Sequence, residues 1–424
     1  MRHGTILKET SRGGSSYKRV LSNRSLFALW LAQTISQTGD YAFNVALLWY
    51  VLQSSGSIFF VGLTQSIVVT PVALIGPIAG VYVDRFNRKN VMVASALFQG
   101  AIVAIFASLF MTGELEFPVL LSLVFLLFSG QQFFVSALNA YVPRAVDKDD
   151  LGAANSLFSL SNVSNMLMGY VIGGLVLSIL GVSVIVVYDC FTFFAAAGLL
   201  LTMSTLYGRS SWEPLNESPE SSTGFISDFR SGLDYIRSSK LLLQIMGAGI
   251  VLTFFADGLI ALLPAYAERQ LGGSSVTYGI VLAAAVMGGM IGSVMFGRLD
   301  SRRYLGKMFI LCTLLSGLAI LALGLSSHTT IALFGAILMG GSYFVANLCV
   351  QVFIQATVPG RILARVYTVF FGILGVFAPL GAIISGIFAG YSNPGLVYTL
   401  YGSSVFVVGV LMLVAFSTLK DAHY

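Results

Sequence analysis

A chain of 424 residues in which 56% are hydrophobic and 10% charged cannot present an ordinary water-facing surface, because soluble domains carry about 25% charged residues. Its net charge of +5 is spread over many short polar turns, which points to membrane topology rather than to nucleic-acid binding. The three cysteines, Cys190, Cys312 and Cys349, stand far apart inside apolar runs and offer neither a disulfide framework nor a metal set.

Residues 1–24 are polar and basic. With no apolar core ahead of a cleavage site, they are expected to form a cytoplasmic tail. Apolar runs long enough to cross a hydrocarbon core of about 30 Å follow at 25–52, 58–83, 90–112, 118–142, 152–180 and 182–206. A second set lies at 241–267, 276–297, 305–326, 329–357, 362–390 and 394–418. None alternates in polarity as a membrane β-barrel would. The expected fold is therefore an all-α polytopic membrane protein with twelve transmembrane helices in two pseudo-symmetric six-helix bundles, 25–207 and 241–418. A short cytoplasmic tail, 419–424, closes the chain.

Between the bundles lies a polar linker, 208–240, rich in Ser, Glu and Pro. Within it Phe225, Ile226, Phe229, Leu233 and Ile236 share one helical face, predicting an amphipathic helix resting on the inner membrane surface. Basic residues concentrate in the first tail, in the turns after the second, fourth and eighth spans, in the linker and at Arg361 and Arg365. Arg269 falls on the other side. By the positive-inside rule both termini are expected in the cytoplasm.

The two halves echo each other at a fixed offset. Asp84 and Asp300 end the second span of each half, with 300 − 84 = 216. The Val-Pro pairs at Pro143 and Pro359 repeat it, 359 − 143 = 216, and Asp40 and Asp257 nearly so, 257 − 40 = 217. Three coincidences in one register indicate an internal repeat, the mark of many secondary transporters, whose substrate sites lie between the repeats near the midplane.

After the second span stands Gly80-Val-Tyr-Val-Asp84-Arg85-Phe-Asn-Arg88-Lys89. It combines a helix end, an acid at the membrane interface and a tight basic turn, in which the acid can pair with arginine or with a helix N-terminus. This run resembles the loop signature of the major facilitator superfamily, and Gly297-Arg-Leu-Asp300-Ser-Arg302-Arg303 is similar to its degraded second copy. The segments Ala137 to Arg144, Leu151 to Asn155, Phe225 to Lys240 and Pro359 to Arg361 resemble the drug:proton antiporter branch that includes macrolide-efflux-type transporters. In place of that branch's usual Gly-Pro-x-x-Gly-Gly element, the fifth span carries Gly169-Tyr170-Val-Ile-Gly173-Gly174. The fourth span lacks the arginine often found there. The resemblance implies two rocking bundles, a central cavity lined mainly by spans 1, 4, 7 and 10, and a prokaryotic plasma membrane. In that setting Gly80, Asp84, Arg85, Arg88, Lys89 and Asp300 form a gating motif.

Charges inside the bilayer cost about 2.5–3.5 kcal/mol each, so intramembrane acids are functional suspects. Asp40, Asp189 and Asp257 lie inside predicted spans, whereas the three histidines fall in tails or loops, so proton coupling would have to use these acids. Gln33, Gln37, Asp40 and Asn44 are spaced to share one helical face, and Gln131, Gln132, Asn347 and Gln351 offer further amides in spans four and ten. Asn155, Ser159 and Asn162 form a similar stripe in span five. Such stripes face either a wet cavity or a partner helix.

Acids without mid-span bases disfavour anionic cargo. The expected activity is proton-coupled export of lipophilic cationic or neutral compounds, multidrug or macrolide-like, by alternating access. Two alternatives stay open: a lysolipid or siderophore transporter of the same fold, and a non-transporting membrane receptor. No nucleophile–base set, metal cluster or phosphate loop suggests an enzyme, and no cofactor is expected. The expected partners are a small amphipathic substrate, protons and membrane lipids, with no nucleic acid.

Overall fold

The computed structural model describes residues 17–204, 225–298 and 301–415. The helices are α1 (Arg24–Ser55), α2 (Ile58–Leu74), α3 (Gly76–Arg85), α4 (Arg88–Thr112), α5 (Phe117–Ala145), α6 (Leu151–Leu180) and α7 (Val182–Leu201). They continue as α8 (Phe225–Ser238), α9 (Lys240–Ala265), α10 (Ser275–Arg298), α11 (Ser301–Leu325), α12 (Thr329–Thr357), α13 (Gly360–Tyr391) and α14 (Pro394–Ala415). Among the described residues ten helices are long and apolar enough to cross a membrane, which makes this a multi-pass membrane protein.

The second predicted span is broken. α2 and α3 meet at a 40° bend and make an eleventh crossing if counted together. Pro71 inside α2 and Pro77 at the start of α3 each remove a backbone donor, which is how proline kinks a helix. α1 is among the longest helices, at 32 residues, yet is not one of the ten. Gln33, Gln37, Asp40 and Asn44 dilute its apolar character, so the residues that attract functional interest also weaken its membrane signal.

Packing draws its lines elsewhere than chain order does. One compact unit gathers residues 17–44, 74–169 and 180–204, and the other gathers 45–73, 170–179 and 225–415. In the first unit, Leu29 and Ala32 of α1, Met92 and Ala96 of α4, Ala137 and Tyr141 of α5, and Ala196 and Leu200 of α7 form a buried core. Alanines let these helices approach closely. One end of this unit is laced by polar bonds. Arg19 grips Asp150 with both carboxylate oxygens, at 2.5 and 2.8 Å. Lys89 Nζ donates to the Leu201 carbonyl at 2.9 Å and to that of Met203, placing a cation on the carbonyl end of α7, where it is favoured.

In the second unit the end of α1 and all but the last residue of α2 pack with the later helices. A Cβ on Gly62 of α2 would lie 2.9 Å from the Gly386 Cα of α13, and one on Gly174 of α6 would lie 3.2 Å from the Gly279 Cα of α10. Backbones this close leave room only for hydrogen.

The amphipathic helix forms as α8. Gly232 packs on the Arg365 carbonyl, Tyr235 donates to the Thr357 carbonyl at 3.3 Å, and Asp228 pairs with Arg365 at 3.0 Å. Ile236 is fully buried. This face of α8 thus rests on α13 and the end of α12. A small residue among the apolar ones selects a helix partner over lipid.

Candidate functional site

Asp40 lies in the middle of α1, half-buried, and borders a cavity of about 10 Å³ together with Ser36, Gln37, Gln99, Gln131 and Phe193. That volume is close to what one water needs, and the four polar neighbours supply the partners a water requires. Every lining residue belongs to the first unit.

Asp189 of α7 is completely buried and packs against α1 at Gly39. A Cβ on Gly39 would lie 2.5 Å from Asp189 Oδ1 and 2.7 Å from Thr192 Oγ1. A glycine at position 39 therefore admits the acid against α1, one residue from Asp40. Asp189 Oδ1 is 3.4 Å from Thr192 Oγ1, which itself donates to the Asp189 carbonyl at 2.7 Å. Asp189 Oδ2 is buried with no hydrogen-bond partner. Gly39 directly precedes Asp40, so Asp189 packs against α1 one residue from a second acid. A buried polar atom without a partner is costly, and two ionised carboxyls in one low-dielectric site repel strongly. A proton or a cation relieves both penalties.

The rest of the α1 stripe has a different fate. Gln33 and Gln37 are buried. Gln33 Nε2 donates to Gln37 Oε1 at 3.2 Å, and Asn165 Nδ2 of α6 donates to the same oxygen at 3.3 Å. Trp30 Nε1 donates to Ser161 Oγ at 2.6 Å, and the Tyr41 hydroxyl donates to Asn162 Oδ1 at 3.3 Å. Much of this polarity joins α1 to α6. Asn44 is half-buried.

Asp257 belongs to the second unit. Thr253 and Asp257 share a face of α9, as Tyr343 and Asn347 share one of α12, each pair spaced i, i+4. Asn347 Nδ2 donates to the Tyr343 carbonyl at 3.0 Å. Gln351 is exposed, and its carbonyl accepts from the Tyr367 hydroxyl at 3.3 Å. The structure thus sets Asp189 against α1 next to Asp40, and places Asp257 in the second unit.

In the gating motif, Lys89 is committed to the end of α7, as above, and Arg85 is exposed. Arg88 is half-buried, and no side chain lies within 4 Å of a Cβ on Gly80. Asp300 and the side chain of Asp84 lie outside the described residues. Gln132 Nε2 sits 3.5 Å from the Phe128 carbonyl, while Gln131 faces the Asp40 cavity.

Sequence reasoning missed Gly39, Thr192, Gln99 and Asn165. Gln99 carried a signal, being an amide in mid-span. Gly39 carried none, because only the approach of α7 gives it meaning.

At the end of the second unit where α1 runs into α2, the linkers themselves are joined. Gln53 Nε2 donates to Glu268 Oε1 at 2.6 Å, Arg269 donates to the Gly56 carbonyl at 2.9 Å, and Ser275 Oγ donates to the Gly174 carbonyl at 3.2 Å.

A family model described as transmembrane secretion effector matches residues 17–423. Macrolide efflux protein A of Streptococcus pyogenes is 22% identical over 393 residues, spanning 91% of this chain and 94% of its own. The enterobactin exporter EntS of Shigella boydii serotype 4 is 26% identical over 399 residues, spanning 93% and 92%. Among solved structures, the nucleoside transporter NupG superposes with a TM-score of 0.75 at 13% identity, over 93% of this chain and 99% of that one. A bacterial homolog of the human lysosomal transporter Spinster gives 0.73 at 16%, over 96% and 97%. At these identities the solved structures share the fold alone.

Proposed function

Since the chain belongs to the transmembrane secretion effector family of the major facilitator superfamily, we propose that it is a proton-coupled exporter of lipophilic cationic or neutral compounds, with Asp40 and Asp189 holding the coupling proton between them. The observation that carries this reading is the fully buried Asp189, its Oδ2 unpartnered, set against Gly39. A carboxyl so placed is stable while a proton is shared with Asp40. When the cavity beside Asp40 wets, water competes for that proton and the pair can release it. Cationic cargo reaching Asp40 would displace the proton by charge, which gives antiport its exchange.

In this reading α1 is the twelfth span, and the helices divide six and six into the bundles 25–207 and 241–418. Both termini lie in the cytoplasm and the host is the plasma membrane. The bonds at Gln53, Arg269 and Ser275, with the two glycine crossings, close one end and must part during alternating access. Asp257 and Tyr343 serve as a second polar station for cargo, and Asn44, Gln131 and Asn347 as polar contacts along the way. The likeness to macrolide efflux protein A supports export of this class.

The likeness to the enterobactin exporter favours a second reading, a siderophore as cargo. Transport into proteoliposomes under an imposed pH gradient tests both, with a panel of macrolides, lipophilic cations and siderophores. Uptake that follows the gradient for the first two classes is expected. Uptake of siderophore alone selects the second reading, and no flux of any class overturns both.

A further inference from the structure

A lateral groove of about 600 Å³ opens on the first unit between α3, α4 and α5. Its walls are aromatic: Tyr82, Phe86, Phe98 and Phe133, with Asn90 and Ser129 among the polar groups. Tyr82 stacks on Phe86 at 4.2 Å and meets Phe133 edge-on at 5.6 Å. Tyr82, Phe86 and Phe98 remain 45%, 49% and 42% exposed, so the groove is a formed cleft whose lining is uncovered by protein. It shares no lining residue with the Asp40 cavity.

Depth and charge identify what fits. Along α4 the lining runs from Asn87 to Phe98, 98 − 87 = 11 residues, or about 16 Å at a rise of ~1.5 Å. That is close to half of the ~30 Å hydrocarbon core, the reach of a single leaflet. One end of the groove, at Asn87 and Asn90, lies at the start of α4, whose first turn holds no acid and whose Lys89 N–H is capped by Asn87 Oδ1 at 3.0 Å, a positive helix end. Exposed Arg85 stands next to Phe86, and the Asn90 amide is exposed one turn further on. This end is therefore cationic and donor-rich, and the interior apolar.

We propose that this groove is a binding site for an anionic phospholipid, one acyl chain lying along α4 and its phosphate at Arg85 and the α4 N-terminus. The site rests on no reading of the transported compound. A lipid seated there fills the angle between α3 and α4.

The test uses the full chain in phosphatidylcholine vesicles containing either brominated phosphatidylglycerol or brominated phosphatidylcholine, with Phe133→Trp as a fluorescent reporter read against the parent protein. Bromine quenching at the reporter should reach its midpoint at an about fivefold lower fraction of the anionic lipid, the preference one basic residue gives near a bilayer surface. Arg85→Gln should remove most of that preference. Ala94→Phe, which fills the groove, should weaken quenching by both lipids. Equal quenching by the two lipids, or quenching unchanged by Ala94→Phe, overturns the proposal. Should the reporter variant not fold, native mass spectrometry of the parent and of Ala94→Phe replaces it. A phosphatidylglycerol adduct on the parent that is lost in the variant supports the site, and an adduct kept by both overturns it.

Discussion

Asp40 and Asp257 are repeat partners at an offset of 217, yet the structure equips them differently. Asp40 sits beside a second, wholly buried acid, Asp189. Carrying Asp189 forward by 216 gives position 405, which is Val405, buried and apolar. Asp257 shares a face of α9 with Thr253, and one face of α12 carries Tyr343 and Asn347. The repeat has kept one acid in each half and given only the first a carboxyl companion. In the proposed mechanism the first unit's two acids pass a proton between charge states, whereas Asp257 holds a polar or cationic group.

Substitutions can break or sharpen that contrast. The largest effect is expected from Asp40→Asn, which should reduce gradient-driven uptake in proteoliposomes by a hundredfold or about that, the scale of losing a proton-transfer group. Asp189→Asn should be nearly as severe. The double variant should be no worse than either single one, the non-additivity of groups acting as a unit. Fully additive losses would show that the acids work separately.

Gly39→Ala comes next. Its methyl would intrude on Asp189 Oδ1 and Thr192 Oγ1, forcing α7 away from α1 at an overpacking cost of about 1–3 kcal/mol. Thermal unfolding in detergent should fall accordingly, and uptake should drop with it. A Gly39→Ala protein of parental stability and flux would mean that α7 does not need this approach.

Asp257→Asn and Tyr343→Phe should each raise the half-saturating cargo concentration about tenfold while sparing the pH dependence, the signature of a binding contact. A lost pH dependence in Asp257→Asn would erase the contrast between the halves. The smallest effect is expected from Gln53→Ala, whose exposed bond to Glu268 is worth about 1 kcal/mol or less. It should shift flux severalfold at most.

Much of this was legible in the chain itself. The helices α4 to α7 and α9 to α14 lie on the apolar runs, because length and hydrophobicity suffice to specify a span. The acids were equally visible, since a charge inside a span is rare and costly. What could not be read was partnership. The α1 stripe looked uniform, yet Gln37 accepts from both Gln33 and Asn165 while Asp40 borders a small cavity. The face of one helix does not reveal which neighbour each turn meets. Asp189 sat seven residues into its apolar run with no polar stripe to recommend it, and Gly39 looked like any helix glycine. Proline spoke clearly at the α2–α3 bend, though the long apolar run concealed it.

The claim that Asp40 and Asp189 share a proton is tested most directly by pH-titrated infrared difference spectroscopy of the reconstituted protein. A carboxylic-acid carbonyl band should appear and vanish in one titration, and either Asp40→Asn or Asp189→Asn should displace both its frequency and its midpoint. If Asp189→Asn leaves the band of Asp40 unchanged in position and midpoint, the two acids do not act as a pair.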